Sequence, residues 1–222
     1  MVVSITQKQK CVVVLSGGLD SATVAYWARK QGYTIYPITF KYGQIAVKET
    51  ECAQKIAQSL GATIKIIDLS ALKEIFSSVT SLCSQDIPLT AEFSTPIIVP
   101  FRNAIFLSAA VAYAVSVKAG KIFYGAQGSD EPFYPDCRRE FYEAFEKAAR
   151  LGTCQEITIQ APYNNKQKAD VIKAGKGLGV PFELTWSCYL DGHRHCGRCE
   201  SCVNRKKAFS EAKVQDPTKY ET

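Results

Sequence analysis

Residues 11–21, Cys11-Val12-Val13-Val14-Leu15-Ser16-Gly17-Gly18-Leu19-Asp20-Ser21, decide the reading of the fold. A continuous β-branched run suits a strand buried on both faces, and two glycines followed by Asp-Ser open a helix. A strand that feeds a helix N-terminus offers unpaired backbone N–H groups and the positive end of the helix dipole, which together make an anion site. Gly17 and Gly18 remove the Cβ atoms that would hold a phosphate away, and they permit positive φ angles that aim N–H groups inward. Ser16 and Ser21 add hydroxyl donors. Asp20 tolerates a phosphate only with a divalent cation between them, so Mg2+ accompanying a nucleotide is implied. No Lys follows the glycines, so the Walker pattern is absent and with it the lysine that reaches the β- and γ-phosphates. A glycine turn without a ligand is the competing reading.

Outward from this stretch the hydrophobic period alternates, which predicts an α/β fold: a Rossmann-like parallel sheet with helices on both faces. Helix is expected from Ser21 to about Gln31, before Gly32. Strands are expected at 33–40 and 63–68, with a helix between them that ends at Leu60 and Gly61. Residues 77–101 read as a long irregular excursion, functional or mobile. A helix over 102–117 reads as buried nearly all round, because Ala104–Val117 is uncharged yet too short for a bilayer. Strands at 121–125 and 156–160 and helices at 138–151 and 166–178 complete the pattern. No internal repeat is visible.

From Trp186 the character changes. Cys188, Cys196, Cys199 and Cys202 stand as C-x7-C-x2-C-x2-C. Two consecutive C-x-x-C steps wrap a tetrahedral ion, and Cys188 closes the fourth position, which predicts one structural Zn2+ per chain. Four thiolates leave no open coordination position, so a catalytic role is not expected. An iron–sulfur cluster is the alternative. His193 and His195 read as solvated or supporting groups, and Cys11, Cys52, Cys83, Cys137 and Cys154 as buried structural thiols. The chain divides into a nucleotide-binding catalytic domain, 1–185, and a zinc-binding segment, 186–222, packed on it.

Composition narrows the class. The 222 residues are 46% hydrophobic and 22% charged, the range of ordinary globular proteins, and a net charge of +6 does not by itself argue for nucleic acid. The N-terminal MVVSITQKQK lacks the apolar core of a secretory signal. With nine cysteines, an odd number, metal binding in a reducing, cytoplasmic setting explains the usage better than disulfides.

The S-G-G-x-D-S order resembles the loop of PP-loop ATP pyrophosphatases, which cleave ATP between the α- and β-phosphates and adenylate a substrate. Together with Phe40-Lys41-Tyr42-Gly43-Gln44, Val99-Pro100-Phe101-Arg102-Asn103, Tyr134-Pro135-Asp136-Cys137-Arg138, Glu183–Cys188 and the cysteine cluster, the chain resembles the 7-cyano-7-deazaguanine synthase (QueC) family of queuosine precursor synthesis. The resemblance implies an adenine nucleotide alpha hydrolase-like fold and a homodimer. It implies ATP, ammonia and 7-carboxy-7-deazaguanine as substrates, with no membrane and no direct nucleic-acid partner. Leu15, Ser16, Gly17, Gly18, Leu19, Asp20, Ser21, Ala22, Thr23, Val24 and Ala25 would surround the ATP phosphates, with Asp20 orienting magnesium. Arg102 would hold a phosphate or the substrate carboxylate, or open a helix as a surface charge. Asp136 would accept a proton from ammonia, bind the guanine edge, or cap the helix that starts near Arg138. Tyr42, Phe133, Tyr134 and Trp186 are candidates for stacking on a purine-like ring. Ala126–Phe133 and Ala161–Lys166 depart from the residues common in those two loops, so amide formation or transfer to another acceptor stays open, as does tRNA thiolation.

Overall fold

The computed structural model describes residues 8–221. The chain runs through β1 (Lys10–Val14), α1 (Leu19–Lys30), β2 (Thr34–Lys41), α2 (Lys48–Ser59), β3 (Lys65–Asp68) and the short α3 (Lys73–Phe76). It continues through α4 (Arg102–Val117), β4 (Lys121–Phe123), α5 (Arg139–Thr153), β5 (Thr158–Gln160), α6 (Lys168–Leu178) and α7 (Glu200–Ala212). All five strands pair in parallel, in the spatial order β3-β2-β1-β4-β5. This is the α/β fold that the alternating period predicts.

The period of two along β1 divides the core. Val12 and Val14 face one side with Ile38, Ile122 and Ile159, where α4 and α5 pack. Cys11, Val13 and Leu15 face the other side with Phe123, where α1, α2, α6 and α7 pack. Four of the five residues from Cys11 to Leu15 are fully buried, as expected of a central strand covered on both faces. The chain crosses from β1 to β2 and β3 on one side and returns to β4 on the other, so the helices that follow β1 and β4 leave on opposite faces of the sheet and open a crevice at its end. Ligands of open parallel sheets bind in that crevice.

Several expectations need correction. Helix α4 is not buried all round. Ala104, Phe106, Leu107, Ala110, Val111 and Ala114 cover the sheet, whereas Ser108, Ala112 and Ser116 are exposed because no layer lies outside them. Segment 77–101 holds only one 3-10 turn, Thr95–Ile97, but it is anchored, with Thr80, Ser81, Leu82, Cys83, Ile97 and Val99 buried. Helix α7 has no counterpart in the sequence expectations, because Cys199 at its cap and Cys202 in its first turn read as metal ligands; its Ala208, Phe209 and Ala212 join the core beside α6. Cys154 is exposed rather than buried, at the left-handed residue that ends α5.

Candidate active site and metal centre

The loop after β1 is held by its serines. Ser21 Oγ accepts from the Ser16 N–H at 3.2 Å and donates to Gly18 O at 3.1 Å, and the Ser16 and Ser21 hydroxyls lie 3.0 Å apart. Only Gly17 has a positive φ, +92°; Gly18 lies in the extended region. A Cβ on Gly17 would stand 2.2 Å from the Glu49 carbonyl oxygen, so this glycine is demanded by the packing of α2 rather than by a phosphate. Gly125, after β4, lets the backbone approach Ser21 N, which an added Cβ would meet at 2.8 Å. The loops after β1 and β4 are thereby pressed together around the head of α1.

Two adjoining cavities of about 210 and 200 Å³ open at this point. Their walls share Gly18, Asp20, Tyr42, Glu49, Arg102 and Asp130. Leu15, Ser16 and Ser21 line one, and Leu19 the other. Ala22, Thr23, Val24 and Ala25 do not reach either: they are buried in α1, and Thr23 Oγ1 donates to Leu19 O. Asp20 Oδ2 accepts from Lys168 Nζ at 3.0 Å, while Asp20 Oδ1 is buried with no partner. Burial opposes the charge of Lys168, but Asp20 and Asp130 reverse this and hold its pKa above the usual lysine value. Lys168 was not singled out in the sequence; it lies at the start of α6, in a segment with no local phosphate motif.

Arg102 enters the cavities from the first residue of α4, beyond Phe101 in a left-handed turn at φ 56°. Its guanidinium donates to Tyr42 Oη at 3.3 Å and lies over the Phe106 ring. Asp136 borders the same space, but its Oδ2 accepts from the backbone N–H of Asn103 at 3.0 Å. It therefore caps the first turn of α4, not that of α5. Of the four aromatics read as stacking candidates, Tyr42, Tyr134 and Trp186 line the larger cavity; Phe133 lies outside it, half-exposed against Phe93. Tyr189 and Ser201 also line it, which brings the cysteine segment to the site.

The sulfurs of Cys188, Cys196, Cys199 and Cys202 lie within 4.8 Å of one another, and all four residues are buried. Cys188 and Cys199 are 4.0 Å apart and Cys196 and Cys202 3.9 Å. A tetrahedral ion with Zn–S near 2.3 Å sets its sulfurs about 3.8 Å apart, so the cluster fits zinc. Backbone N–H groups of Leu190 and Cys196 point at Cys188 Sγ, and that of Cys199 at Cys196 Sγ, as thiolates require. His193 is exposed; His195 is buried, and its Nε2 accepts from the Ser187 N–H at 3.0 Å. Arg205, also buried, donates to Thr185 Oγ1, Ser187 Oγ and Phe182 O and pairs with Asp216. Between these anchors the backbone N–H of Trp186 donates to Gly17 O at 2.9 Å. The cysteine cluster and the phosphate loop are two ends of one short hydrogen-bonded path.

Comparison with known proteins adds to this geometry. Residues 10–213 match the family model described as queuosine biosynthesis protein QueC. The chain is 45% identical over 215 residues to a 7-cyano-7-deazaguanine synthase of Caldicellulosiruptor saccharolyticus, covering 96% of both chains. It is 42% identical over 215 residues to the protein of that name from Caldicellulosiruptor bescii, covering 96% of this chain and 97% of the other. Among solved structures, the NMN synthetase of Francisella tularensis superposes with a TM-score of 0.56 at 17% identity, over 95% of this chain and 79% of that one, a likeness of fold.

Proposed function

The chain belongs to the QueC family of queuosine biosynthesis proteins, and from that premise we propose that it is an ATP-dependent carbon–nitrogen ligase converting 7-carboxy-7-deazaguanine and ammonia to 7-cyano-7-deazaguanine. The observation that carries this reading is the continuity of the site. One pair of adjoining cavities joins the phosphate loop, the Arg102 guanidinium and the aromatic wall of Tyr42, Tyr134 and Trp186. A nucleotide and a flat carboxylated base can meet there.

The chemistry needs activation twice. A carboxylate is a poor electrophile, because oxide cannot leave. Attack of its oxygen on the α-phosphorus of ATP expels pyrophosphate and gives an acyl-adenylate. Ammonia then attacks the acyl carbon, AMP leaves, and an amide remains. Adenylation of the amide oxygen followed by loss of AMP and of the nitrogen-bound protons gives the nitrile. Each activation consumes its own ATP and develops charge at that nucleotide's α-phosphorus in the same position, so one set of positioned donors serves both. Loop N–H groups and Lys168 hold the phosphates, and Arg102 holds the substrate carboxylate by a bidentate pair. Mg2+, bound with ATP, neutralises phosphate charge; the unpartnered Asp20 Oδ1 is the oxygen fitted to orient it. The four cysteines hold zinc, which stabilises residues 186–222 on the catalytic domain.

The family likeness supports a cytoplasmic homodimer that acts on small molecules without a membrane or nucleic-acid partner; sizing chromatography tests the dimer. The reaction is tested by mass spectrometry of the products formed from ATP, magnesium, ammonium and 7-carboxy-7-deazaguanine. Nitrile with AMP is expected. Amide alone would place the function in the divergent loops 126–133 and 161–166, and no substrate-dependent consumption of ATP would overturn the reading.

A further inference from the structure

Four carboxylates border the site: Asp20, Glu49, Asp130 and Asp136. Three are engaged by the protein. Asp20 pairs with Lys168, Asp130 Oδ1 accepts from Gln127 Nε2 at 3.1 Å, and Asp136 accepts the Asn103 N–H. Glu49, in the first turn of α2, has no ion-pair partner among the described residues. The Gln44 amide beside it donates one N–H to Phe40 O, accepts from the Tyr42 N–H, and offers its second N–H to the Glu49 carboxylate, a neutral donor rather than a counter-charge. Glu49 lines both cavities. Arg102 faces it but stands beyond ion-pair distance, so a small cation fits between this partly buried carboxylate and a phosphate in the site.

The proposed reaction supplies such a cation, since ammonia is present at neutral pH almost wholly as ammonium, which has no lone pair with which to attack. We propose that Glu49 is the ammonium site and proton acceptor, an assignment that rests on the ligase reading above. One N–H bond of ammonium breaks, its electron pair stays on nitrogen, and the proton passes to the Glu49 carboxylate. The freed lone pair attacks the acyl carbon, the bond from that carbon to the AMP oxygen breaks, and AMP leaves with the electrons. The surplus proton on nitrogen departs to water.

The surroundings of Glu49 suit this task. Burial pushes its carboxyl up to about 7, against the pull of Arg102 and Gln44, so it can both take and release a proton near neutrality. Facing it are Arg102 from α4, Tyr42 and Gln44 from the turn after β2, Cys83 from the connection after α3, and Cys52 on its own helix. Its backbone carbonyl abuts Gly17, which fixes α2 against the phosphate loop. Asp136, for which the sequence leaves proton-acceptor, guanine-edge and cap readings open, gives one carboxylate oxygen to the backbone of α4.

The test is Glu49→Gln, isosteric and uncharged, in the full chain with ATP, magnesium and 7-carboxy-7-deazaguanine, offered either ammonium or hydroxylamine. Hydroxylamine is neutral at neutral pH and attacks without first losing a proton. The variant is expected to form the hydroxamate at close to the wild-type rate but the amide about 10²- to 10⁴-fold more slowly. Its amide rate should climb with pH as free ammonia accumulates, whereas the wild-type rate levels off above a limb near the Glu49 pKa. Hydroxamate formation also reports that the variant folds and adenylates. Equal loss with both nucleophiles would make Glu49 a magnesium or structural residue and overturn the proposal, as would unchanged amide formation. Failure of the wild type to activate the substrate would overturn the functional reading and this one with it.

Discussion

Lys168 Nζ lies 3.0 Å from Asp20 Oδ2 across 148 residues of sequence, and it is the cation that the phosphate loop itself lacks. Both side chains are about four-fifths buried, so the cost of desolvating them offsets most of their attraction and the pair's net contribution to folding is small. Its value is to a ligand. Lys168→Met keeps the stem and removes the charge. ATP affinity is expected to fall about tenfold or more by calorimetry, and turnover by about 10²-fold, and the thermal midpoint to fall as well because Asp20 and Asp130 lose the cation between them. Unaltered ATP affinity would remove Lys168 from the nucleotide site.

The two loop glycines are expected to fail in different ways. Gly17→Ala places a methyl group against the Glu49 carbonyl at a positive φ, and urea denaturation should show a loss of about 2–4 kcal/mol. Gly18→Ala meets nothing closer than the Ser16 hydroxyl at 3.5 Å, with φ in an ordinary region. It should fold normally and bind ATP more weakly, because its methyl group intrudes where a phosphate approaches.

Removal of the metal should be felt at the nucleotide. One zinc per chain is expected by elemental analysis. Chelation, or Cys199→Ser, should lower the thermal midpoint and weaken ATP binding together, since the Trp186 N–H that fixes Gly17 O hangs between the cysteine cluster and Arg205. Iron in place of zinc, or full ATP affinity in metal-free folded protein, would contradict this account.

Asp130 provides a dependence on pH. Burial pushes its carboxyl up to about 6, with Lys168 pulling it down and Asp20 adding to the rise. The folded protein thus binds this proton more tightly than the unfolded chain does. The carboxylate costs stability at neutral pH, and that cost fades as pH falls through about 6 toward the ordinary aspartate value. Asp130→Asn keeps the acceptor for Gln127 and should stabilise by roughly 1–3 kcal/mol at pH 7–8, with the gain disappearing near pH 4. A gain independent of pH would exclude this origin.

What was legible in the sequence was local. The β-branched run before two glycines, the i+4 repeat ending at Gly61 and the paired C-x-x-C steps each carry their signal within a dozen residues, and each leads to an element or cluster in the structure. Lys168 carries none, because its partner arrives by tertiary folding. The constraint on Gly17 was equally hidden. A glycine beside a presumed phosphate looks like a ligand feature, and only the packing of α2 shows which atom forbids the side chain. The exposed stripe of α4 misleads for a related reason: alanine and serine are read as interior residues, yet they are small enough to sit at a surface with little cost.

All five strands of the sheet lie within the first 160 residues, but the parts that make its crevice useful come afterwards: the lysine of α6, the backbone of Trp186 that grips Gly17, and the four cysteines. During synthesis the N-terminal loop leaves the ribosome long before its clamps do, at about 5–20 residues per second. The crevice is thus laid out by the first 160 residues and furnished by residues 168–202, so on the proposed reading the capacity to hold ATP depends on segments made after the sheet they serve.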